Sequence, residues 1–246
     1  MAESREVLEK EFFTRIPKAR KINPVFRAFF DFMYEAHLVS GTGKKVLNVF
    51  ASHDFSGNRE EVYHDKFFSE CDYETIDFWQ NHFIREGKPT TEPHVLPFDS
   101  NKFDIIVTTK NIMEHVSEPE KILSEFHRVL KPGGEIFLWA SLIRRQLQGP
   151  YDYFRFTEYG LAHLLNKTGF KDYEIKHTNG SMATFTEYAY LFQRGINMPS
   201  ILESFFNWTY GAIIQPIGFL IDRLDNGYGR DFTLYFLVRA RKEAKI

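Results

Sequence analysis

The strongest constraint in this chain is a series of short apolar runs, each closed by turn residues and separated from the next by a helical repeat. Val46–Phe50 follows the break at Gly41-Thr-Gly-Lys-Lys45, and Phe103–Thr108 is rich in β-branched residues. Short runs bounded in this way read as strands buried on both faces. Glu135–Ala140 and Phe232–Ala240 read alike, with Tyr73–Asp77 and His94–Pro97 as shorter candidates. Between them, Ile122, Leu123, Phe126, Val129 and Leu130 share one helical face behind a capping-box pattern at Ser117–Glu120. Lys131-Pro-Gly-Gly134 ends that helix, and Thr157 caps another that carries Leu161, Leu164 and Leu165 and closes at Gly169. Strands alternating with helices imply crossover connections, and so an α/β fold with a mostly parallel, doubly wound sheet and helices on both faces. Ligands of such sheets bind beyond the carboxyl ends of the strands, which nominates the segments after Phe50, Asp77, Pro97 and Thr108.

The 246 residues show no internal repeat and no long Gly/Ser/Pro linker, so they read as a single domain, 1–246. Within it, 1–43 is a helical extension, 44–180 the core, 199–224 a helical insertion or cap, and 230–241 the last strand. Asn23-Pro24 has the N-cap and first-position proline of a helix whose apolar face includes Phe26, Phe29, Phe30 and Met33. A net charge of −2, from 31 Lys+Arg and 33 Asp+Glu, argues against a general nucleic-acid binder. The start MAESREVLEKEFF lacks a basic-then-apolar signal pattern, and the one cysteine, Cys71, can form no intramolecular disulfide. Both features point to a reducing cytoplasm. His53-Asp54 and His64-Asp65 match no usual ligand spacing, so no metal is expected. The apolar stretch Ile201–Ile221 is broken by Glu203, Asn207, Gln215 and Pro216, too often for a spanning helix. It still holds more apolar side chains than one helix face can hide. A cap over the acceptor pocket is the first reading, a homodimer contact through 199–224 the second, and peripheral lipid contact the third.

Leu96-Pro-Phe-Asp, Phe103-Asp-Ile-Ile-Val, Met113-Glu-His-Val and Glu125-Phe-His-Arg-Val-Leu-Lys-Pro-Gly-Gly134 form a linked set within a short span. In this order they resemble the class I S-adenosylmethionine (SAM) methyltransferases, and among them the type 11 group. The resemblance covers roughly 44–180 and implies a seven-stranded sheet, SAM as cofactor and a small-molecule acceptor. Gly149–Thr157 and Leu161–Phe170 look like a segment found in members linked to polysaccharide or lipid-sugar modification. The family places its ribose-binding acid at the end of the second strand, here Asp77, and an acid near the adenine amino group, here Glu92. Thr108, Thr109 and Lys110 would line the methionine end of the cofactor.

One motif departs from the family pattern. The first loop, normally an acid followed by three spaced glycines, reads Asn48-Val-Phe-Ala-Ser-His-Asp54, so Phe50, Ser52 and Asp54 stand at glycine positions. Glycine serves there because the backbone approaches the cofactor closely and can need positive φ. Asp54 could turn toward the cofactor's ammonium group, and Gly57 could carry a rearranged turn. Two readings stay open: an enzyme with a remodelled loop, or a catalytically degenerate binding or scaffold module that kept the fold after losing its glycine loop. For methyl transfer, His115 and Asp152 are the candidate bases, with Tyr153 and Arg155 as acceptor-holding groups. Each also has a plain structural reading, as a hydrogen bond or ion pair closing a loop.

Overall fold

Side chains of the first strand, β1 (Lys45–Phe50), divide between two hydrophobic clusters, Val46 in one and Leu47 and Val49 in the other. Strand side chains alternate between faces, so a sheet with such a strand must be covered on both sides. The computed structural model describes residues 4–14, 16, 23–50, 62–77, 94–147 and 149–244, with Phe50 and Asp77 described by backbone alone. It adds β2 (Asp72–Asp77), β3 (Phe103–Val107), β4 (Leu130–Ser141), β5 (Asp172–His177) and β6 (Tyr235–Arg241) in the order β2-β1-β3-β4-β6-β5. The pairs β1–β2, β1–β3 and β3–β4 are parallel, while β6 runs antiparallel to both β4 and β5.

On one face lie α1 (Arg5–Thr14) and α2 (Pro24–Ser40), whose Phe12, Phe29, Phe30 and Met33 pack with Val46, Ile105, Val107 and Phe137. Asn23 caps α2 by accepting the Val25 amide at 3.0 Å, ahead of Pro24. The other face is covered by α3 (Pro119–Val129) and α4 (Glu158–Lys167), through Ile122, Phe126, Leu161 and Leu165 against Leu47, Ile106 and Leu138. Thr157 caps α4 by accepting the Gly160 amide at 3.0 Å. The last part of the chain forms α5 (Ser181–Arg194), α6 (Ser200–Thr209), a π turn (Tyr210–Ile214) and α7 (Gln215–Asp222) before β6. Among the described residues no helix is long and apolar enough to cross a membrane.

Three expectations need correction. The sheet has six strands among the described residues, not seven, and His94–Pro97 is not one of them. Its backbone is claimed by α3 instead: the Leu96 amide donates to Glu125 at 2.8 Å, and Arg128 donates to the Leu96 and Phe98 carbonyls. Ser117 does not cap α3; Pro119 sits in the first turn, which makes Glu118 the N-cap, without a side-chain capping bond. Conversely β5 was not expected, because Asp-Tyr-Glu-Ile-Lys-His is a polar, half-exposed edge strand with no apolar run to announce it.

The break after α3 brings two strands unusually close. Gly133 has φ +79°, and a Cβ on Gly134 would come within 2.9 Å of the Asp104 carbonyl oxygen of β3. Gly134→Ala should therefore destabilise the protein by about 1–3 kcal/mol, the usual cost of overpacking. Urea unfolding measures it, and an unchanged midpoint would show that the β3–β4 approach is not tight.

Candidate functional site

Parallel strands place their carboxyl ends along one edge, where the chain must leave the sheet through loops. β1 and β2 end level with each other, Phe50 opposite Asp77. Two residues before the end of β1, the fully buried Asn48 reaches across to the segment leaving β3. Its Oδ1 accepts from the Thr109 amide at 3.3 Å and the Thr109 hydroxyl at 3.1 Å. A buried carbonyl oxygen needs such partners, since leaving it unmet costs about 1–3 kcal/mol. Two of the expected cofactor residues, Asn48 and Thr109, thus bind each other, and the half-buried Lys110 follows directly. The side chains of Phe50 and Asp77, and residues Ser52, Asp54, Gly57 and Glu92, lie outside the described residues.

The next pair of loops is stitched by Glu114, which lies within the Met113-Glu-His-Val motif and has no role among the expected site residues. Glu114 is 2% exposed. Its Oε1 accepts from the amide of Ser141, the last residue of β4, at 2.5 Å and from Asn111 Nδ2 at 3.0 Å. Its backbone carbonyl accepts the Tyr153 amide at 2.8 Å. Beside it, buried His115 donates from Nδ1 to the Tyr151 carbonyl at 2.8 Å. The available signal was a charged residue inside the apolar run Ile112-Met113-Glu-His-Val116, immediately after a strand end.

Asp152 and Arg155 form a bidentate pair, at 2.6 Å to Oδ1 and 2.8 Å to Oδ2. All five Arg155 N–H groups are used, the others going to the Arg144, Arg145 and Phe154 carbonyls. Burial would raise the Asp152 carboxyl, but the Arg155 bonds and the Leu147 amide outweigh it and hold Asp152 below the usual carboxylate range. The arrangement makes this pair a clamp on the loop, and Tyr153, 44% exposed, is carried on it. The structure therefore gathers His115, Asp152, Tyr153 and Arg155 on two adjoining loops. On the far side, Glu187 of α5 is buried 3.9 Å from Arg144 and accepts from the Tyr210 hydroxyl at 3.4 Å.

Four buried oxygens around this edge have no hydrogen-bond partner among the described residues: Thr108 Oγ1, Asn111 Oδ1, Glu114 Oε2 and Ser141 Oγ. Buried polar atoms are normally paired, so a cluster of unmet ones at a strand end fits a polar ligand. No group of three His, Cys, Asp or Glu among the described residues is placed to hold a metal.

Burial pushes the Glu114 carboxyl above the usual glutamate range, against the Ser141 bonds and the neighbouring His115. A carboxyl raised by folding supports stability below its ordinary value of 4.5 and withdraws it as pH rises through the folded value. Glu114→Gln keeps the acceptor for Ser141 without the charge. Wild-type stability should fall more steeply than that of the variant as pH rises above 4.5, read by urea melts. Equal slopes would contradict the burial of an ionisable Glu114.

Comparison with known proteins agrees with this architecture. Residues 59–138 match the methyltransferase-domain family, the match beginning past β1 and the altered loop. The ubiquinone/menaquinone biosynthesis C-methyltransferase UbiE of Ruegeria sp. (strain TM1040) is 36% identical over 69 residues, 27% of each chain. The chain thus matches about a quarter of that relative's length. The Burkholderia thailandensis 1,6-didemethyltoxoflavin-N1-methyltransferase superposes with a TM-score of 0.50 at 15% identity, covering 99% of this chain and 92% of the other. A putative sarcosine dimethylglycine methyltransferase from Galdieria sulphuraria gives 0.48 at 14% identity, covering 89% and 87%.

Proposed function

We propose, for a chain with the class I methyltransferase fold whose residues 59–138 match the methyltransferase-domain family, that it is a SAM-dependent methyltransferase acting on a small-molecule acceptor. The observation that carries this reading is the edge where β1 and β2 end level, Phe50 beside Asp77, with Asn48 tying β1 to the β3 exit. An acid at the end of β2 can accept two hydrogen bonds from a ribose diol. The unmet oxygens of Thr108 and Asn111 suit the polar amino-acid end of the same cofactor. Asp77, Asn48, Thr109 and Lys110 are its proposed binding residues, with Phe50, Ser52, Asp54 and Glu92 completing the set from the sequence.

When bound, SAM supplies an electrophilic methyl on a sulfonium. The protein's task is then to hold the acceptor in line with it, because positioning alone can supply several kcal/mol, roughly 7–11 in favourable cases. His115, held through Nδ1 on the Tyr151 carbonyl, is the proposed base for a hydroxyl or amine acceptor. Asp152 and Arg155 position the loop, and Tyr153 offers an exposed aromatic face and hydroxyl to the acceptor, a sugar or lipid-linked metabolite. Phe50, Ser52 and Asp54 at glycine positions support a second reading, a binding or scaffold module without transfer.

Incubation with SAM and extracted small metabolites should convert SAM to S-adenosylhomocysteine, and Asp77→Ala should weaken SAM binding at least about tenfold, or 1.4 kcal/mol. Tight SAM binding with no turnover on any metabolite fraction would favour the scaffold reading. Full affinity in Asp77→Ala would remove Asp77 from the site.

A further inference from the structure

The segment between β5 and β6 buries only one of its sides. Tyr210 stacks on Tyr190 with centroids 4.6 Å apart, and Gly218 sits so close to Thr186 that a Cβ would come within 2.8 Å of it. Asp222 accepts the Met182 and Ala183 amides at 2.8 and 2.9 Å, locking α7 onto the start of α5. α6, by contrast, has no buried residue. Ten large apolar side chains between residues 201 and 224 are 42–82% exposed. At roughly 200 Å² for a large side chain they present on the order of 1,000 Å² of apolar surface. The largest apolar patch on a typical monomer is about 300–600 Å².

This surface is also ordered along the helix. Ile201, Phe205, Trp208, Ile213, Ile217 and Leu220 follow one another at steps of four, three, five, four and three residues. The single step of five falls across the π turn at Tyr210–Ile214, whose wider winding absorbs the extra residue. The stripe therefore stays on one side of a helix that would otherwise turn it away.

We propose that a second copy of this chain covers the stripe, the two copies packing stripe against stripe about a two-fold axis. The six stripe side chains alone present on the order of 700 Å², close to the roughly 800 Å² that each partner gives to a standard interface. A single apolar helix stripe is self-complementary in the way a two-fold contact requires. Charge decides against a lipid surface. Between residues 199 and 232 the basic residues are Arg223 and Arg230, against Glu203, Asp222, Asp225 and Asp231. Helices that lie on anionic membranes are rich in Lys and Arg instead.

Light scattering on the intact chain should give about twice the monomer mass of 29.0 kDa. Phe205→Glu and Leu220→Glu should each give the monomer mass with unchanged circular dichroism, because these side chains are 62% and 60% exposed and cost the fold little. Ile213→Cys in a Cys71→Ser background should cross-link to its own copy, since mid-stripe residues meet across the axis. Monomer mass at every concentration would overturn the proposal, as would a dimer that persists in both Glu variants. Capture of the monomer on phosphatidylcholine/phosphatidylglycerol vesicles would overturn it in favour of lipid. None of these readouts depends on methyl transfer.

Discussion

A buried carboxylate fixes the shape of the working edge. Glu114 lies almost without water between the loops that leave β3 and β4, and one of its oxygens holds the Ser141 amide while its backbone holds Tyr153. Removing a charge from water is expensive unless hydrogen bonds compensate. Ser141 and Asn111 satisfy one oxygen, and burial pushes the carboxyl toward its neutral form. Through this group the loop carrying His115 and the loop carrying the Asp152–Arg155 clamp become one rigid wall. Asn48 likewise ties β1 to the segment leaving β3. The edge is held by buried polar links, where an apolar core could not give direction.

Much of this was legible in the sequence because it follows from periodicity. Apolar runs at Val46–Phe50, Phe103–Thr108 and Glu135–Ala140 had to be strands covered on both faces, and the two clusters on either side of Leu47 and Val46 follow from the alternation. Caps at Asn23 and Thr157 were visible because a side-chain acceptor before a helix has a local signature. What was not legible depended on distant partners. Nothing near Leu96 announces that Glu125 and Arg128 will take its backbone groups and keep it out of the sheet. An edge strand such as β5 has no apolar pattern to read, and Arg155 looks available for a ligand until its five donors are traced to local carbonyls and Asp152.

The two ends of the chain divide the remaining work. The N-terminal helices close one face of the sheet with an aromatic cluster, in which Phe29 stacks on Trp139 at 4.5 Å and Trp139 lies 4.9 Å from Tyr235. This contact supports β4 and β6 just where they approach the candidate acceptor side. The helices between β5 and β6 place Glu187 beside Arg144 on their inner side and leave their outer side apolar. One insertion thus turns a charged group toward Arg144 and an apolar side toward solvent.

The central claim is that the strand ends beside Asn48 and Asp77 seat an adenosyl sulfonium although the first loop has lost its glycines. Calorimetric titration of the intact chain with S-adenosylhomocysteine tests it most directly, because product binding needs the cleft and no acceptor. The account predicts one saturable site per chain. A flat titration at millimolar ligand would contradict it, leaving the fold in place and the reaction without a cofactor.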